Sequence, residues 1–460
     1  MVLSAAAALR GMTPHLRRNS AAVLRRRPLS MAMPGVARRI PPPPAVAFPS
    51  ATRGIPALHS SANAHASVAK WLVGTAGVVV LIVHVGGVTR LTRSGLSMTY
   101  WKPTQVLPPI TPEEWEAEFT VYKSFPEFQQ RRSMDIEEFK SIFYWEWGHR
   151  ILGRISGVVF VLPAAYFAAR GMIPKGYGWR VAGLLGMGAG QGAVGWWMVA
   201  SGLGNDRRGD KKEIRVSPYR LAVHLSMAFA TYTGLVWNGI DLLHGGGSDG
   251  GAAARRRYVA YASKLSLEAR HAAKKLRGGV IVATVLTAAT AASGAFVAGL
   301  DAGCAYNTWP DMEDGNFVPE DIWDPDLGML NPFENTATVQ FDHRILAYAT
   351  FLSSVGAAAY GLRRGMISSG AVTPQAAAGI TAMGAAATGQ AALGVATLLN
   401  HVPIGMAAGH QMGSLVLLTS GLYTVQALRY GGPAALRAAA AGPMGAGRTA
   451  ITARTILGRA

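Results

Sequence analysis

Cysteine is nearly absent from this chain of 460 residues, which contains a single one, Cys304. One cysteine excludes an intrachain disulfide and any metal site built from several cysteines. We interpret Cys304 as a small packing residue at the end of a helix.

Charged residues are also scarce: they make up 15% of the chain, whereas hydrophobic residues make up 50%. A soluble domain usually carries more charge, and several uncharged runs here reach the roughly 18–25 residues that cross a bilayer. The runs are rich in Gly and Ala, which allow helices to pack closely in lipid. We therefore predict an all-α polytopic membrane protein with eight transmembrane helices, at 71–89, 155–169, 181–203, 221–240, 278–300, 345–362, 376–400 and 404–428.

Acidic residues are missing from the start of the chain, where Glu113 is the first. Residues 1–65 hold nine arginines together with many Ser, Ala and Pro residues. This composition is typical of an organelle transit peptide, here assigned to mitochondria in preference to plastids, and a disordered basic arm is the alternative. The net charge of +19 is concentrated in this leader and in particular loops, so we predict no nucleic-acid partner.

Basic residues are missing from the loop 301–342, which follows the fifth span and contains ten acids. The loop 243–277, after the fourth span, instead carries eight Lys or Arg residues against two acids. Basic residues also follow the second, sixth and eighth spans. Because Lys and Arg are enriched in loops that are not translocated, the sequence predicts these loops and both termini in the matrix. The loops 90–147 and 301–342 are then predicted to face the intermembrane space.

The two halves of the chain resemble each other. The motif His-Arg-Ile-Leu occurs at 149–152 and again at 343–346, each time at the start of an even-numbered predicted span. Other landmarks follow in the same order: Arg93 and Trp101 correspond to Asp301 and Trp309, and GQGAVG at 190–195 corresponds to GQAALG at 389–394. Four spans per half is an even number, so we predict two parallel four-helix repeats, related by an axis near the membrane normal.

Four histidines occupy matched positions in the two repeats. His149 and His224 lie in the second and fourth spans, and His343 and His410 lie in the sixth and eighth. Two imidazoles that face each other across a helix bundle can be the axial ligands of one haem iron. Zinc is less well supported, because no third ligand clusters near either pair. The sequence therefore predicts one haem site per half, toward the intermembrane space.

The halves differ at one titratable position. Glu146 lies three residues before His149, on the same helical face, whereas Gln340 lies three residues before His343. Charge beside lipid is costly and is usually retained for a partner or a task. A carboxylate near bound substrate can move protons, so we predict chemistry in the first half and a structural or electron-relay haem in the second. A glutamate that only reaches water or pairs with Arg150 is the alternative.

Four arginines are candidate contacts for haem propionates. Arg150 and Arg344 each follow a candidate haem ligand, and Arg90 and Arg93 lie on the side where basic residues are disfavoured. Ordinary surface arginines are the alternative for all four.

Five motifs together resemble the haem A synthase family of mitochondria and proteobacteria, over about residues 68–428. They are GGVTRLTRSGLSMTYWKP (86–103), EFKSIFYWEWGHRILGR (138–154), NTWPDM (307–312), QFDHRILAY (340–348) and GHQMGSL (409–415). The resemblance implies an oxidoreductase of the mitochondrial inner membrane, which oxidises the C8 methyl of haem O to a formyl group and so makes haem A for cytochrome c oxidase. Some bacterial relatives carry a cysteine pair in an outer loop; its absence here removes support for a thiol role in haem transfer.

The resemblance also implies roles for particular residues and partners. Glu146 corresponds to the catalytic glutamate, His149 and His224 to the ligands of the substrate haem, and His343 and His410 to the axial ligands of a haem b cofactor. Expected partners are membrane lipid, haem O synthase and proteins that donate or accept electrons, and a homo-oligomer is compatible with the sequence.

These expectations divide the chain into five segments. They are a transit peptide (1–65), a first four-helix repeat for the substrate haem (66–243), a basic matrix linker (244–277), a second four-helix repeat for haem b (278–430) and a basic matrix tail (431–460).

Two other classes of protein share part of this pattern. A di-haem b-type cytochrome that only transfers electrons would also use two histidine pairs, but has no use for the difference between Glu146 and Gln340. A parallel-repeat transporter would explain eight spans, yet more often has broken helices and charged residues near the midplane.

Overall fold

The computed structural model describes residues 61–98, 100, 107–203, 214–247, 251–313 and 315–441. These residues form helices and connecting loops without any β-strand, and one isolated β-bridge joins Glu313 and Asn316. The predicted all-α class is therefore confirmed for this part of the chain. Most of the predicted transit peptide, Trp101 and the end of the basic tail lie outside the described residues.

Long helices occur at all the predicted spans. In chain order they are α1 (Ser61–Leu91), α2 (Ile136–Ala169), α3 (Gly178–Leu203), α4 (Pro218–Leu243), α5 (Leu267–Leu300), α6 (Thr336–Gly361), α7 (Pro374–Leu399) and α8 (Ile404–Ala427). Four of them are long and apolar enough to cross a membrane: α1 from Asn63 onward, α2, α5 and α7. The arrangement with eight spans stays a prediction.

Shorter helices lie in the connections. The α-helical ones are Pro112–Lys123, Pro126–Gln129, Ala252–Lys264, Asn331–Glu334, Arg364–Ser368 and Pro433–Ala440, and the 3-10 turns are Ala302–Cys304, Gly328–Leu330 and Arg429–Gly431. Cys304 thus lies just beyond the end of α5, but it is exposed, so the interpretation as a packing residue is wrong.

Helix α2 begins well before the apolar run that predicted it. The side chain of Asp135 accepts a hydrogen bond from the backbone N–H of Glu138 and so caps the helix. The first turns then bury Phe139 and Phe143 against the preceding segment of the chain. Glu146 and His149 therefore lie inside a continuous helix, on which they are one turn apart.

An aromatic cluster holds the connection between α1 and α2 onto the start of α2. Trp115, Phe119 and Tyr122 on the helix Pro112–Lys123 pack against Phe139 and Phe143. The ring centres of Phe119 and Phe139 are 5.0 Å apart and nearly stacked, and those of Tyr122 and Phe139 are also 5.0 Å apart. Burial of these rings gives this connection its own small core.

The same pairs of helices are in contact in both halves. In the first half α1 packs on α2 and α4, and α3 packs on α2 and α4. In the second half α5 packs on α6 and α8, and α7 packs on α6 and α8. Between the halves, α4 contacts α5, α1 contacts α8, and α4 contacts α8. The contacts between helices therefore correspond in the two halves, and the arrangement as two four-helix repeats stays a prediction.

Backbone conformation also matches between the halves. Arg93 follows the end of α1 with φ +54°, and Asp301 follows the end of α5 with φ +52°. A left-handed conformation is uncommon for residues other than glycine, so its occurrence at these two aligned positions supports the alignment.

Candidate functional site

His149 on α2 and His224 on α4 face each other in the first half of the chain. Their ring centres are 6.5 Å apart, and their planes are inclined by 72°. One metal bound at about 2 Å by a nitrogen of each imidazole separates the ring centres by roughly 6 to 6.5 Å. The spacing of this pair therefore fits two axial ligands of one haem iron.

His343 on α6 and His410 on α8 are the aligned histidines of the second half. The Nδ1 atom of His343 shares a hydrogen bond of 2.7 Å with Ser293 Oγ on α5, which orients its ring.

In each half, a glutamine at the same position of the repeat binds the backbone of one of the histidines. Gln191 Nε2 on α3 donates to the backbone carbonyl of His224 at 2.9 Å, and Gln390 Nε2 on α7 donates to that of His410 at 2.8 Å. Among the described residues, the Nδ1 atoms of both histidines are buried without a hydrogen-bond partner. A buried ring nitrogen without a protein partner is available to a polar group of a ligand.

Each of the four histidines also packs against a glycine of a neighbouring helix. A Cβ atom at these glycines would lie 2.8 Å from His149 (Gly86), 3.1 Å from His224 (Gly195), 3.2 Å from His343 (Gly294) and 2.7 Å from His410 (Gly394). Only glycine leaves the rings this space. The glycines form two aligned pairs, Gly86 with Gly294 and Gly195 with Gly394. The sequence alignment paired Gly195 with Gly394, but the packing of these glycines on the histidines was not anticipated.

Glu146 is 3% exposed and accepts hydrogen bonds from three groups. Its Oε2 atom accepts from Ser97 Oγ at 2.8 Å and from the backbone N–H of Met98 at 2.7 Å. Its Oε1 atom accepts from Arg150 Nη2 at 2.5 Å. Arg150 in turn donates to the carbonyls of Met98 and Tyr100. The side chain is thus held one helical turn from His149, and its pairing with Arg150, considered above as an alternative to a chemical role, is present.

Gln340 makes the matching contacts in the second half. Its Nε2 atom donates to the carbonyl of Ala302 at 2.6 Å, and its Oε1 atom accepts from Arg344 Nη2 at 2.9 Å. Arg344 also donates to the carbonyls of Tyr306 and Asp311. An acid or amide and an arginine four residues later therefore fasten the loop after the first helix of each half. The uncharged Gln340 shows that these contacts do not require a carboxylate.

The four arginines proposed as propionate contacts have protein partners in this structure. Arg150 and Arg344 bind the loop carbonyls described above. Arg90 and Arg93 donate to the carboxylate of Asp301 at 3.0 and 3.4 Å, and Arg215 joins them at 3.3 Å. Contact of the arginines with a propionate stays a prediction.

Sequence reasoning missed one buried acid near this site, Glu127, which is 7% exposed. It lies in the helix Pro126–Gln129 and accepts a hydrogen bond from Tyr122 at 3.2 Å. Nothing in its local sequence indicates burial, which results from the packing of the aromatic cluster.

Comparison with known proteins identifies relatives along most of the chain. Heme A synthase COX15 of Arabidopsis thaliana is 41% identical over 368 residues, which cover 80% of this chain and 76% of that protein. The heme A synthase-mitochondrial ferredoxin fusion protein of Schizosaccharomyces pombe is 40% identical over 390 residues, covering 78% of this chain and 60% of that protein. Heme A synthase of Rhodospirillum centenum is 42% identical over 371 residues, covering 80% of this chain and 90% of that protein. Residues 69–422 match the COX15-CtaA family, described as cytochrome oxidase assembly protein, and the chain therefore belongs to this family.

Proposed function

We propose that this protein is a haem A synthase, an oxidoreductase that converts the C8 methyl of haem O into the formyl group of haem A. Family membership carries the proposal: relatives about 40% identical over most of the chain are heme A synthases. The facing pair His149 and His224, with buried Glu146 one turn away, supplies a site of suitable chemistry. The apolar helices and the relatives support a mitochondrial membrane protein.

His149 and His224 bind the iron of the substrate haem, and this fixes the macrocycle relative to α2. Conversion of a methyl to a formyl group adds one oxygen atom to the carbon, passes electrons to an acceptor and releases protons, so a proton acceptor at this site has a direct use. Glu146 fills this role as general base. Its hydrogen bonds to Ser97, Met98 and Arg150 fix the position of the carboxylate before substrate arrives.

His343 and His410 hold a haem b cofactor in the second half. Glycines opposite both rings and the oriented Nδ1 of His343 support this assignment. When bound, haem b supplies one-electron redox chemistry. Gln340 in place of the glutamate leaves this half without a general base and suits it to a resident group.

The architecture that we propose has eight transmembrane helices in two parallel four-helix repeats, with the five segment boundaries given by the sequence. Both termini and the linker 244–277 lie in the matrix, and both haem sites lie toward the intermembrane space. Matched helix contacts in the two halves support the repeat.

Partners follow from the reaction. Haem O synthase supplies the substrate, and an electron-transfer protein exchanges the electrons. The relative from Schizosaccharomyces pombe, which is fused to a mitochondrial ferredoxin, supports a partner of this second class. Assembly into a homo-oligomer is compatible with this arrangement.

Pigment analysis of the purified protein supplied with haem O tests the proposal. We expect a b-type signal in the reduced-minus-oxidised spectrum and formation of haem A. A b-type signal without haem A under any electron partner would instead identify an electron-transferring cytochrome. A protein without either property would contradict both assignments.

A further inference from the structure

Glu127 is a buried acid that the mechanism above does not use. It belongs to the connection between α1 and α2, outside the long helices, and its Oε2 atom accepts the hydrogen bond of Tyr122. Buried acids are rare unless they are paired, and titratable groups with altered proton affinity are concentrated at functional sites.

Four charged or titratable groups on different segments of the chain influence the pKa of Glu127. They are Tyr122 on the helix Pro112–Lys123, Arg131 just after the helix Pro126–Gln129, Glu146 on α2 and Arg93 after α1. Burial raises the pKa of Glu127 to about 7, and the charge of Glu146 adds to this increase. Arg131, the hydrogen bond from Tyr122 and Arg93 act in the opposite direction.

A polar cavity of about 220 Å³ adjoins Glu127. It is lined by Arg93, Glu127, Gln130, Arg131 and Ile214. Water occupies roughly 30 Å³ per molecule in the liquid, so the cavity has room for several molecules that can carry a proton. Glu127 thus borders this space. Its partner Tyr122 lies in the same buried cluster as Met98, whose backbone N–H binds Glu146, so the two acids are on either side of this cluster.

We propose that Glu127 is the proton-exchange partner of Glu146, passing protons between the active site and this cavity. The inference rests on the proposed function. Glu146, protonated by the substrate, gives its proton to the carboxylate of Glu127 and becomes a carboxylate again. Protonated Glu127 then gives the same proton to water in the cavity and also returns to its starting state. A group whose proton affinity matches the ambient pH can take up and release protons with similar ease.

Infrared difference spectroscopy tests the first half of this inference without turnover. We expect the purified protein to show a carboxylic-acid C=O band that disappears as the pH rises through about 7. The band should be absent in Glu127→Gln, which keeps an oxygen that can accept the hydrogen bond of Tyr122. Glu137→Gln is the matched control, because Glu137 is a largely exposed acid paired with Lys140, and its spectrum should match that of the wild type. Absence of any such band in the wild type, or its persistence in Glu127→Gln, overturns the inference.

The pH profile of haem A formation tests the second half. The wild-type rate should rise through about pH 7 as Glu127 becomes a carboxylate. Glu127→Gln should lower the rate roughly a hundredfold, at the low end of general acid–base contributions, and remove this rise. Glu127→Asp should restore part of the rate. Tyr122→Phe and Arg131→Gln should move the midpoint to higher pH, because each removes a group that favours the carboxylate; a purely structural role predicts no such shift.

The two proposals fail in different ways. If Glu127→Gln keeps the wild-type rate and pH profile while Glu146→Gln is inactive, the relay is wrong and the haem A synthase function stands. If the wild-type protein makes no haem A, the proposed function fails and the relay fails with it, even where the infrared band titrates near pH 7.

Discussion

Glu146 and Gln340 occupy aligned positions on α2 and α6, and each accepts a hydrogen bond from an arginine four residues later. The two side chains have nearly the same shape and both fasten a loop. Glu146 carries an ionisable carboxyl group, whereas Gln340 carries a neutral amide. At this position the two halves therefore differ in one functional group, whereas the contact with the arginine is common to both.

Substitution of Gly86 tests whether haem binding depends on the present position of the His149 imidazole. A Cβ at this glycine would lie 2.8 Å from His149 Nε2, so Gly86→Ala has to displace the imidazole. We expect haem affinity of the first half to fall about tenfold or more, equivalent to about 1.4 kcal/mol, in an absorbance titration. Gly77→Ala on the same helix has nothing within 4 Å and is the control. Equal affinities of the two variants would show that the position of His149 does not determine binding.

Glu127 makes the stability of the protein depend on pH. Its pKa is raised from its ordinary value of 4.5 to about 7 by burial. Because the folded state holds this proton more tightly than the unfolded state, the stability that it contributes is complete below about pH 4.5 and is lost as the pH rises to about 7. Thermal denaturation should therefore show wild type losing more stability than Glu127→Gln between pH 5 and pH 8. Identical losses would indicate that Glu127 titrates like an exposed acid.

At the scale of helices, the sequence predicted more of the fold than of the site. Uncharged runs located the long helices, since crossing a bilayer sets their length and composition. The repeat aligned the four histidines because matched helices place matched side chains. The apolar pattern of the sequence could not locate the start of α2, which depends on the cap at Asp135 and on aromatic packing. Glu146 contacts Ser97 and Met98, and Glu127 is buried, because the loops fold back on α2. Periodicity in the sequence predicts helices but does not predict how loops are placed.

Helices α6 and α8 should carry the resident haem. His343→Ala and His410→Ala each remove one axial ligand, and no nearby side chain can replace an imidazole. We expect both variants to lose or strongly weaken the b-type absorbance of the purified protein. His271→Ala, at an exposed position near the start of α5, is the control and should leave the spectrum unchanged. An unchanged b-type spectrum in both ligand variants would show that other residues hold that haem.

At the scale of the whole chain, charge clusters join the two halves near both ends of the helices. Asp301, after α5, binds Arg90, Arg93 and Arg215 of the first half. At the opposite end, Asp241 on α4 binds Arg429, which follows α8.

The cluster around Asp241 has further members in the first half. Asp241 accepts hydrogen bonds from Tyr177 at 2.5 Å and from Arg180 at 3.4 Å. The carboxylate is buried, whereas the side chains of Arg180 and Arg429 are partly exposed. The two clusters therefore add polar contacts between the halves to the helix packing.

Asp241→Asn should weaken this junction. The substitution leaves Arg180 and Arg429 without their carboxylate, and because both side chains are partly exposed to water we expect a cost of about 1 kcal/mol. We expect a lower midpoint of thermal inactivation in detergent, together with loss of haem from both halves. Asp326→Asn, at an exposed acid of the loop 301–342, should have no effect. Equal inactivation midpoints would indicate that α4, α5 and α8 hold the halves together by apolar packing alone.

Haem A formation by Glu146→Gln, measured against wild type in the same purified preparation, tests the account most directly. Gln340 shows that glutamine can hold the matching loop, so folding and haem b absorbance should stay close to normal. The rate should fall by roughly 10²–10⁴-fold, as expected for the loss of a general base. Gln340→Glu should confer no activity on the second half. Haem A formation at the wild-type rate by Glu146→Gln would show that Glu146 only fastens the loop, and would contradict the account.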